Sequence, residues 1–475
     1  MKRMLVLFLL ILVPVAAALA AVQVLRLWVE RRSEGVSVRV PEHNAYDWGK
    51  DFGTTSEKQV NTGTLIRGTG TPSSDPGSWG QFRGPGRTNV APPEEKLFRS
   101  WPAGGPEVLW KLDLGEGHAG AAVRNGCVFL IDYDREKKED AVRCLSLADG
   151  REIWRYTYYV PVKRYHGMSR TVPAVTDDFV VTLGPKAHVT CLRAKTGEPV
   201  WKMDLVKEYG TTVPEWYAGQ CPLIDGDRAI LAPGGNPLMM AVKLATGEIV
   251  WKTPNPDRWG MTHSSVVAMD YRGSRQYLYC ATLGVVGVSA ADGTLLWKTT
   301  DWTVQTATIA SPVVIDGERV FFSGGYNSGA AMFRLTGEGP SIRPELVFRL
   351  KPEVFGAPQH TPILYNGHIY GIIQDGELAC IDLEGRRIWA SGSSNRFALG
   401  PLLAADGKLL VLSDMEGTAG TLFLIEAGTE GYRELARAKV LPGRDAWGPM
   451  ALVNGKLLLR DRDRMVCLRV GSREK

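Results

Sequence analysis

Aromatic and cationic side chains gather in this sequence just ahead of the points where short apolar strands begin. Five of them are candidate ligand contacts: Arg170, Trp216, Trp259, His263 and His360. Aromatic rings stack on flat groups, and Arg and His donate charge-assisted hydrogen bonds to carboxylates. The combination suits a flat anionic small molecule, and it also suits a peptide or a glycan. No residue is assigned a catalytic role from the sequence.

Motifs that would carry covalent or metal chemistry are missing. The chain contains no GxSxG, HExxH or phosphate-loop pattern. Asp132, Asp134 and Glu136 have the spacing of a calcium loop, but Lys137 and Lys138 follow and the required Gly and terminal Glu are absent. The seven cysteines include no adjacent pair and no CxxC, so we expect small buried residues. The sequence therefore predicts no metal site.

The elements that position these side chains follow from a short pattern that recurs along the chain. Each copy runs from a small residue through a Gly to a Trp four positions after that Gly. The copies span residues 144–154, 191–201, 241–251, 287–297 and 380–389. The pattern indicates a strand, a tight turn with the Gly at positive φ, and a second strand whose Trp packs between units.

Further hairpin signals, such as Asn125-Gly126 and Asp225-Gly226, lie upstream of the copies. Counting the Trp position and its equivalents from Trp110 to Leu435 gives eight units. The last unit lacks a Trp strand, while residues 107–112 form one without a unit of its own. We therefore predict an all-β fold, an eight-bladed β-propeller of four-stranded antiparallel blades, with an N-terminal strand closing the ring.

The best-preserved copies, residues 192–201 and 242–251, resemble the pyrroloquinoline quinone (PQQ) type repeat. The stretch Trp-Gly-Gln-Phe-Arg-Gly-Pro at 79–85 resembles the lead-in before such repeats in bacterial envelope proteins. The resemblance implies one of two functions. Quinoprotein dehydrogenases of this fold hold PQQ and calcium, whereas the outer-membrane assembly propeller lipoproteins are similar in repeat and have no chemistry of their own.

From these observations we expect a binding or scaffold module of the cell envelope. The alternative is a PQQ-dependent quinoprotein oxidoreductase of the alcohol or sugar dehydrogenase type, with PQQ and calcium as its cofactors. The expected partner is an envelope protein, a glycan or a flat anionic small molecule. Nucleic acid is not expected, because the net charge of +5 comes from interspersed signs rather than a basic patch.

The amino terminus carries an uncharged apolar run, residues 4–25, flanked by basic residues. Its 22 residues match a bilayer-spanning helix, and Ala18-Leu19-Ala20 also offers a signal cleavage site. We expect residues 1–32 to be a membrane anchor or signal segment and 33–78 a flexible polar linker before the propeller at 79–475. The propeller would then lie on the periplasmic or extracytoplasmic side, anchored, or secreted if the leader is cut.

Overall fold

The fold was analysed in a computed structural model of the chain, which describes residue 23 and residues 63–163, 168–443 and 445–473. The anchor or signal segment predicted at 1–32, apart from residue 23, lies outside the described residues, as do residues 33–62 of the predicted linker. No helix in the described ranges has the length and apolar character needed to cross a bilayer.

Nearly all described secondary structure is β-strand. The strands that precede the first blade are β1 (Thr64–Arg67), β2 (Ser78–Trp79), β3 (Glu95–Leu97) and β4 (Glu107–Asp113). Blades 1 and 2 contain β5 (Ala122–Arg124), β6 (Cys127–Asp134), β7 (Glu139–Ser146), β8 (Glu152–Tyr159), β9 (Ala174–Val175), β10 (Phe179–Leu183), β11 (His188–Arg193) and β12 (Pro199–Asp204). Helix α1 (Leu205–Tyr209) follows β12.

The middle blades repeat this arrangement. Blades 3 and 4 contain β13 (Leu223–Asp225), β14 (Arg228–Leu231), β15 (Met239–Lys243), β16 (Ile249–Thr253), β17 (Val267–Tyr271), β18 (Ser274–Ala281), β19 (Gly284–Ser289) and β20 (Leu295–Thr299). Blades 5 and 6 contain β21 (Val313–Val314), β22 (Arg319–Gly324), β23 (Gly329–Thr336), β24 (Arg343–Leu350), β25 (Ile363–Tyr365), β26 (His368–Ile372), β27 (Leu378–Ile381) and β28 (Arg387–Ala390), with a 3₁₀ turn at Gly339–Ser341.

The last two blades bring the chain back to its start. Blade 7 contains β29 (Leu402–Ala405), β30 (Lys408–Leu412), β31 (Thr421–Glu426) and β32 (Glu434–Lys439), blade 8 contains β33 (Ala451–Val453), β34 (Lys456–Arg460) and β35 (Arg464–Arg469), and β36 (Gly471–Arg473) follows. The outer strand of blade 8 is β4, which pairs antiparallel with β35. The predicted eight-bladed ring of four-stranded blades, closed by an N-terminal strand, is confirmed.

The recurring Gly and Trp hold adjacent blades together. Five of the repeat tryptophans donate Nε1–H to a carbonyl of the following blade: Trp110 to Leu147, Trp154 to Ala194, Trp201 to Leu244, Trp251 to Ala290 and Trp389 to Gly428. The first four of these rings also cover the repeat Gly of the following blade. At Gly293, φ is 77° and an added Cβ would lie 2.5 Å from the Trp251 ring, so both backbone and space demand glycine.

The small residue of each copy lies opposite its own Trp in the sheet. Cys144 pairs with Trp154 and Ala241 with Trp251, with a register shift at the next residue in both cases. The seven cysteines are all buried and unpaired, which confirms the interpretation of these positions as small core residues.

Blade 1 gains an extra strand on each side from the preceding chain. Strand β1 pairs with the outer strand β8, and β2 pairs with the inner strand β5. Residues 63–78, which the sequence analysis assigns to the linker, are thus part of the folded ring where the structure describes them. The local composition gave no sign of this, because the partners of β1 and β2 lie far along the chain.

Candidate functional site

The segments that lead from the outer strand of one blade to the inner strand of the next meet at one end of the central channel. We call this end the mouth and these segments the mouth loops. The longest belongs to blade 3, residues 205–222, and it begins with α1. Asp204 caps this helix by accepting hydrogen bonds from the backbone of Val206 and Lys207, and Gly210 ends it at a φ of 67°. The helix directs the rest of the loop toward the mouth.

Three of the five predicted residues come together from three consecutive mouth loops. The rings of Trp216 and His263 lie 6.3 Å apart, and His263 packs so closely on Gly219 that an added Cβ would meet its Nδ1 at 2.8 Å. Burial, and after it the positive charge of Arg170, lowers the pKa of His263 to about 3. The imidazole is therefore neutral at pH 7, and the positive charge of this cluster resides on Arg170.

Arg170, in the loop of blade 2, interacts electrostatically with groups in the loops of blades 3 and 8. Burial lowers its pKa to about 10, while the charges of Tyr217 and Asp445 act in the opposite direction. Tyr217 donates its hydroxyl to the Lys163 carbonyl at 2.8 Å, which joins the loops of blades 3 and 2. The cluster is a cationic and aromatic wall built from several loops.

His360 lies in the mouth loop of blade 6. Its Nε2 is 3.1 Å from the Leu399 carbonyl, so this nitrogen carries the proton. Burial lowers the pKa of His360 to about 4; the hydrogen bond to Leu399 opposes that shift and the charge of Arg83 adds to it. The groups that act on His360 are thus Leu399 and Arg83, and neither of them belongs to the cluster around His263.

Trp259 occupies a different environment from the other four candidates. Its side chain is 4 % exposed and packs in the apolar core between blades 3 and 4. Its backbone N–H and carbonyl are both bound by the Asn255 side chain, at 2.9 and 3.0 Å. The ring offers no free face for a ligand to stack on, so the role the structure shows for Trp259 is packing.

The sequence analysis did not anticipate that the lead-in segment, residues 80–92, lies across the channel. The Gly80 carbonyl accepts from the backbone of Val175 in blade 2, and Ala91 donates to Ala404 in blade 7. Asn89 donates its side-chain amide to the Leu402 carbonyl in blade 7. The lead-in therefore forms the floor of the mouth.

Two arginines of the floor extend across the channel. Arg83 donates through Nη2 to the Pro362 carbonyl of blade 6 at 2.7 Å and to the Thr88 carbonyl at 3.0 Å. Arg87 donates through Nη1 to the Pro222 carbonyl of blade 3 at 3.1 Å and reaches Gln81 at 3.4 Å. Their one visible signal in the sequence is two basic residues four apart in a Gly- and Pro-rich turn, Arg-Gly-Pro-Gly-Arg.

A belt of hydrogen bonds runs along part of the channel, just above the inner strands. The backbone N–H of the residue two positions before an inner strand donates to the side chain at the same position in the next blade: Val172 to Cys221, Cys221 to Ser265, Ser265 to Ser311 and Ser311 to Thr361. Blades 2 to 6 are linked in this way. The belt explains why short polar side chains occupy these positions.

The mouth wall at blades 8 and 1 contains a second aromatic contact. His118 is 4 % exposed and stacks on Trp447 with ring centres 4.6 Å apart. Trp447 donates its indole N–H to Asp414, which also accepts from the backbone of Ala446. This wall is packed and paired within the protein itself.

Comparison with protein families finds a match to the model described as outer membrane protein assembly factor BamB, over residues 137–391. The match spans more than half of the chain. The chain belongs to this family of PQQ-like propellers. No curated protein matches it in sequence.

Solved structures similar to this BamB-type propeller include both kinds of protein that the repeat implies. BamB from Moraxella catarrhalis is 12% identical with a TM-score of 0.53, over 76% of this chain and 99% of that one. The quinohemoprotein alcohol dehydrogenase ADHIIG from Pseudomonas putida HK5 is 13% identical with a TM-score of 0.57, over 84% and 81%. A europium-containing methanol dehydrogenase is 13% identical with a TM-score of 0.58, over 83% and 90%. At such identities the likeness shows the fold alone.

The PQQ and calcium of the dehydrogenases can be tested against the residues of this mouth. Calcium takes about six to eight oxygen ligands, carboxylates prominent among them. The floor here presents Arg83 and Arg87, and the belt hydroxyls already accept backbone hydrogen bonds. These residues do not fit a calcium ion. Among the described residues no three His, Cys, Asp or Glu side chains are grouped to hold a metal.

Proposed function

We propose that the chain is a binding or scaffold module of the cell envelope that engages a protein partner through its mouth. The observation that carries the proposal is the cluster of Arg170, Trp216 and His263, which unequal loops bring to one end of the ring. Aromatic and Arg side chains are the types that contribute most at the centres of protein interfaces. The family description, an assembly factor, supports a role in holding other proteins.

The amino-terminal sequence supports the proposed location. An apolar run long enough to cross a bilayer, with basic residues before and after it, would place the propeller outside the cytoplasm. A fusion of alkaline phosphatase after residue 475 tests this directly. Activity of the fusion in intact cells is expected, and an inactive fusion would contradict the proposed location.

Site-specific photocrosslinking tests the partner. Trp216 would be replaced by a photoreactive aromatic residue, and Phe98, which is 43% exposed and outside the mouth loops, would serve as the matched control. We expect one envelope protein to crosslink from position 216 and not from position 98, and an excess of unlabelled wild-type chain to prevent it. Equal labelling from both positions would contradict a partner site at the mouth.

A titration of the full-length chain with PQQ and calcium tests the alternative, a quinoprotein oxidoreductase. Absorbance and thermal melting would be followed, with a dye-linked assay on alcohols and sugars. No calcium-dependent binding and no dye reduction are expected, because the cationic Arg83 and Arg87 repel a calcium ion. Saturable binding with dye reduction would replace the scaffold proposal by the oxidoreductase.

A further inference from the structure

The two floor arginines are buried with much of their hydrogen-bonding capacity unused. Arg83 and Arg87 are 5% and 7% exposed. The Nε of Arg83, and the Nε and Nη2 of Arg87, have no hydrogen-bond partner in the part of the chain that the structure describes. Because buried donors are paired in nearly all proteins, these three nitrogens mark a place where a further acceptor belongs.

Within the described ranges, no carboxylate pairs with either guanidinium group, and Arg87 has only the Phe82 ring, 5.9 Å from its Cζ. Every acceptor that Arg83 and Arg87 contact is a neutral carbonyl or amide oxygen. Burial lowers the pKa of Arg83 to about 9, with the charge of Arg87 acting in the same direction. Burial lowers the pKa of Arg87 to about 10, opposed by Cys221. Both groups remain cationic at pH 7, and a buried charge without a counter-charge is strongly unfavourable.

Two groups on the mouth side bear on the charge at the floor. His360 is the neighbour of Arg83 on that side and donates its own proton to a carbonyl, so it adds no negative charge. Farther out, Arg170 contributes another cation to the wall. Because Asp445 accompanies Arg170, the attraction for an anion rests on Arg83 and Arg87 of the floor.

We infer that Arg83 and Arg87 bind a small oxyanion, of the carboxylate or phosphate class, on the floor of the channel. The guanidinium fork matches the oxygen spacing of both classes, and the unused Nε and Nη2 donors supply such a fork on Arg87. The site is built by the lead-in segment together with blades 3 and 6. It is independent of the protein partner proposed above.

Thermal melting of the full-length chain in detergent tests the site, with inorganic phosphate and acetate as separate probes against sodium chloride of equal ionic strength. At about 20 mM probe we expect a rise in Tm of about 2 °C or more over the chloride value. A larger rise with phosphate assigns a tetrahedral oxyanion, and a larger rise with acetate assigns a carboxylate.

The substitutions Arg83→Met and Arg87→Met should remove that rise. Arg151→Met is the matched control, because the Arg151 side chain is 74% exposed in a turn of blade 1, away from the floor. It should keep the full effect. A rise that persists in both floor variants, or no rise beyond chloride in the wild type, would overturn the inference.

Calorimetric titration keeps the test decisive if the Met variants do not fold. The wild type should bind one phosphate or acetate per chain, and Arg87→Lys, which keeps the charge without the fork, should bind about tenfold more weakly. Unchanged affinity in Arg87→Lys, or no measurable binding to the wild type, would refute an anion site on this floor.

Discussion

The floor of the channel and the seam between blades 8 and 1 both contain buried arginines. The two regions differ in how many acceptors and counter-charges they supply to these arginines. At the seam, Arg460 is fully buried and donates to four carbonyls, those of Asp461, Ala119, Gly115 and Arg462, at 2.9 to 3.3 Å. Burial lowers its pKa to about 10, and nearby aspartates, Asp132 first among them, oppose the shift.

A second buried arginine at the seam is compensated by direct ion pairs. Arg143 is bound by Asp132 at 2.8 Å and by Glu152 at 2.6 Å. On the floor, Arg83 and Arg87 have neither a carboxylate contact nor a full set of acceptors from the residues that the structure describes. Burial of an arginine is therefore not in itself a sign of function. The informative quantity is the number of donors left without an acceptor once the protein's own groups are counted.

The largest effect is expected from Arg460→Met. The substitution removes the donor to four buried carbonyls and the cation beside Asp132, so the free energy of unfolding should fall by about 3–5 kcal/mol. Urea denaturation followed by Trp fluorescence measures it. Arg83→Met, which loses two hydrogen bonds, should lower stability less. Equal losses in the two variants would remove the distinction between seam and floor.

The pH dependence of stability tests whether the buried carboxyl of Asp140, in blade 1, is protonated in the folded state. Asp140 is fully buried in β7, where Tyr158 and Ser169 donate to it at 2.5 and 3.1 Å. Burial raises its pKa to about 7; the two hydroxyls oppose the shift and the charge of Asp132 adds to it. The folded state therefore holds this proton more tightly than the unfolded state, and stability should decline as the pH rises from about 4 to 7.

The decline attributable to Asp140 should be on the order of 2–4 kcal/mol. Asp140→Asn cannot ionise and should lack it, so the urea midpoints of wild type and variant should diverge between pH 5 and pH 8. Parallel pH profiles for the two proteins would mean that the carboxyl is ionised throughout.

Glu95→Ala tests how the floor is held in place. Glu95 is 4% exposed and accepts from the backbone N–H groups of Asn454 and Gly455 in the hairpin of blade 8. Its loss leaves two buried donors unpaired, and we expect a decrease of about 1–3 kcal/mol in the free energy of unfolding. Glu95→Gln keeps an acceptor and should lose less. An unaffected Glu95→Ala would show that the lead-in is anchored elsewhere.

The smallest effect is expected in the belt above the floor. Ser311→Ala removes the acceptor of the Ser265 N–H, which costs about 1 kcal/mol for one unpaired donor. Ser311→Cys should be close to neutral, because Cys221 fills the equivalent position of blade 3. Chemical denaturation of both variants measures their free energies of unfolding. A Cys variant as destabilised as the Ala variant would contradict a stabilising role for the belt hydrogen bond.

The ring could be predicted from the sequence because its contacts repeat at a fixed spacing. Four of the repeat tryptophans meet the glycine turn of the next blade about forty residues on, so one pattern reports both the strands and their packing. The grouping of Arg170, Trp216 and His263 follows from the same regularity, since mouth loops converge in any closed ring. Trp259 is not part of this group, because an aromatic side chain of a mouth loop can also turn inward and pack between blades.

The floor could not be predicted in this way. Arg87 contacts Pro222, 135 residues along the chain, and Arg83 contacts Pro362, 279 residues along. No periodicity connects these positions, and the lead-in has no repeat of its own. Their role appears only when the channel is assembled around them.

Closure of blade 8 by β4 has a consequence for how the chain acquires its structure. Strand β4 is made early, but its partner β35 ends at Arg469, near the end of synthesis. Until then β4 exposes an unpaired edge, which invites association with other chains. Contacts of such long sequence separation form slowly. The ring can therefore close only when translation is nearly finished. A chain stalled before its last blade would be an open ring with an exposed strand edge, prone to associate with other chains.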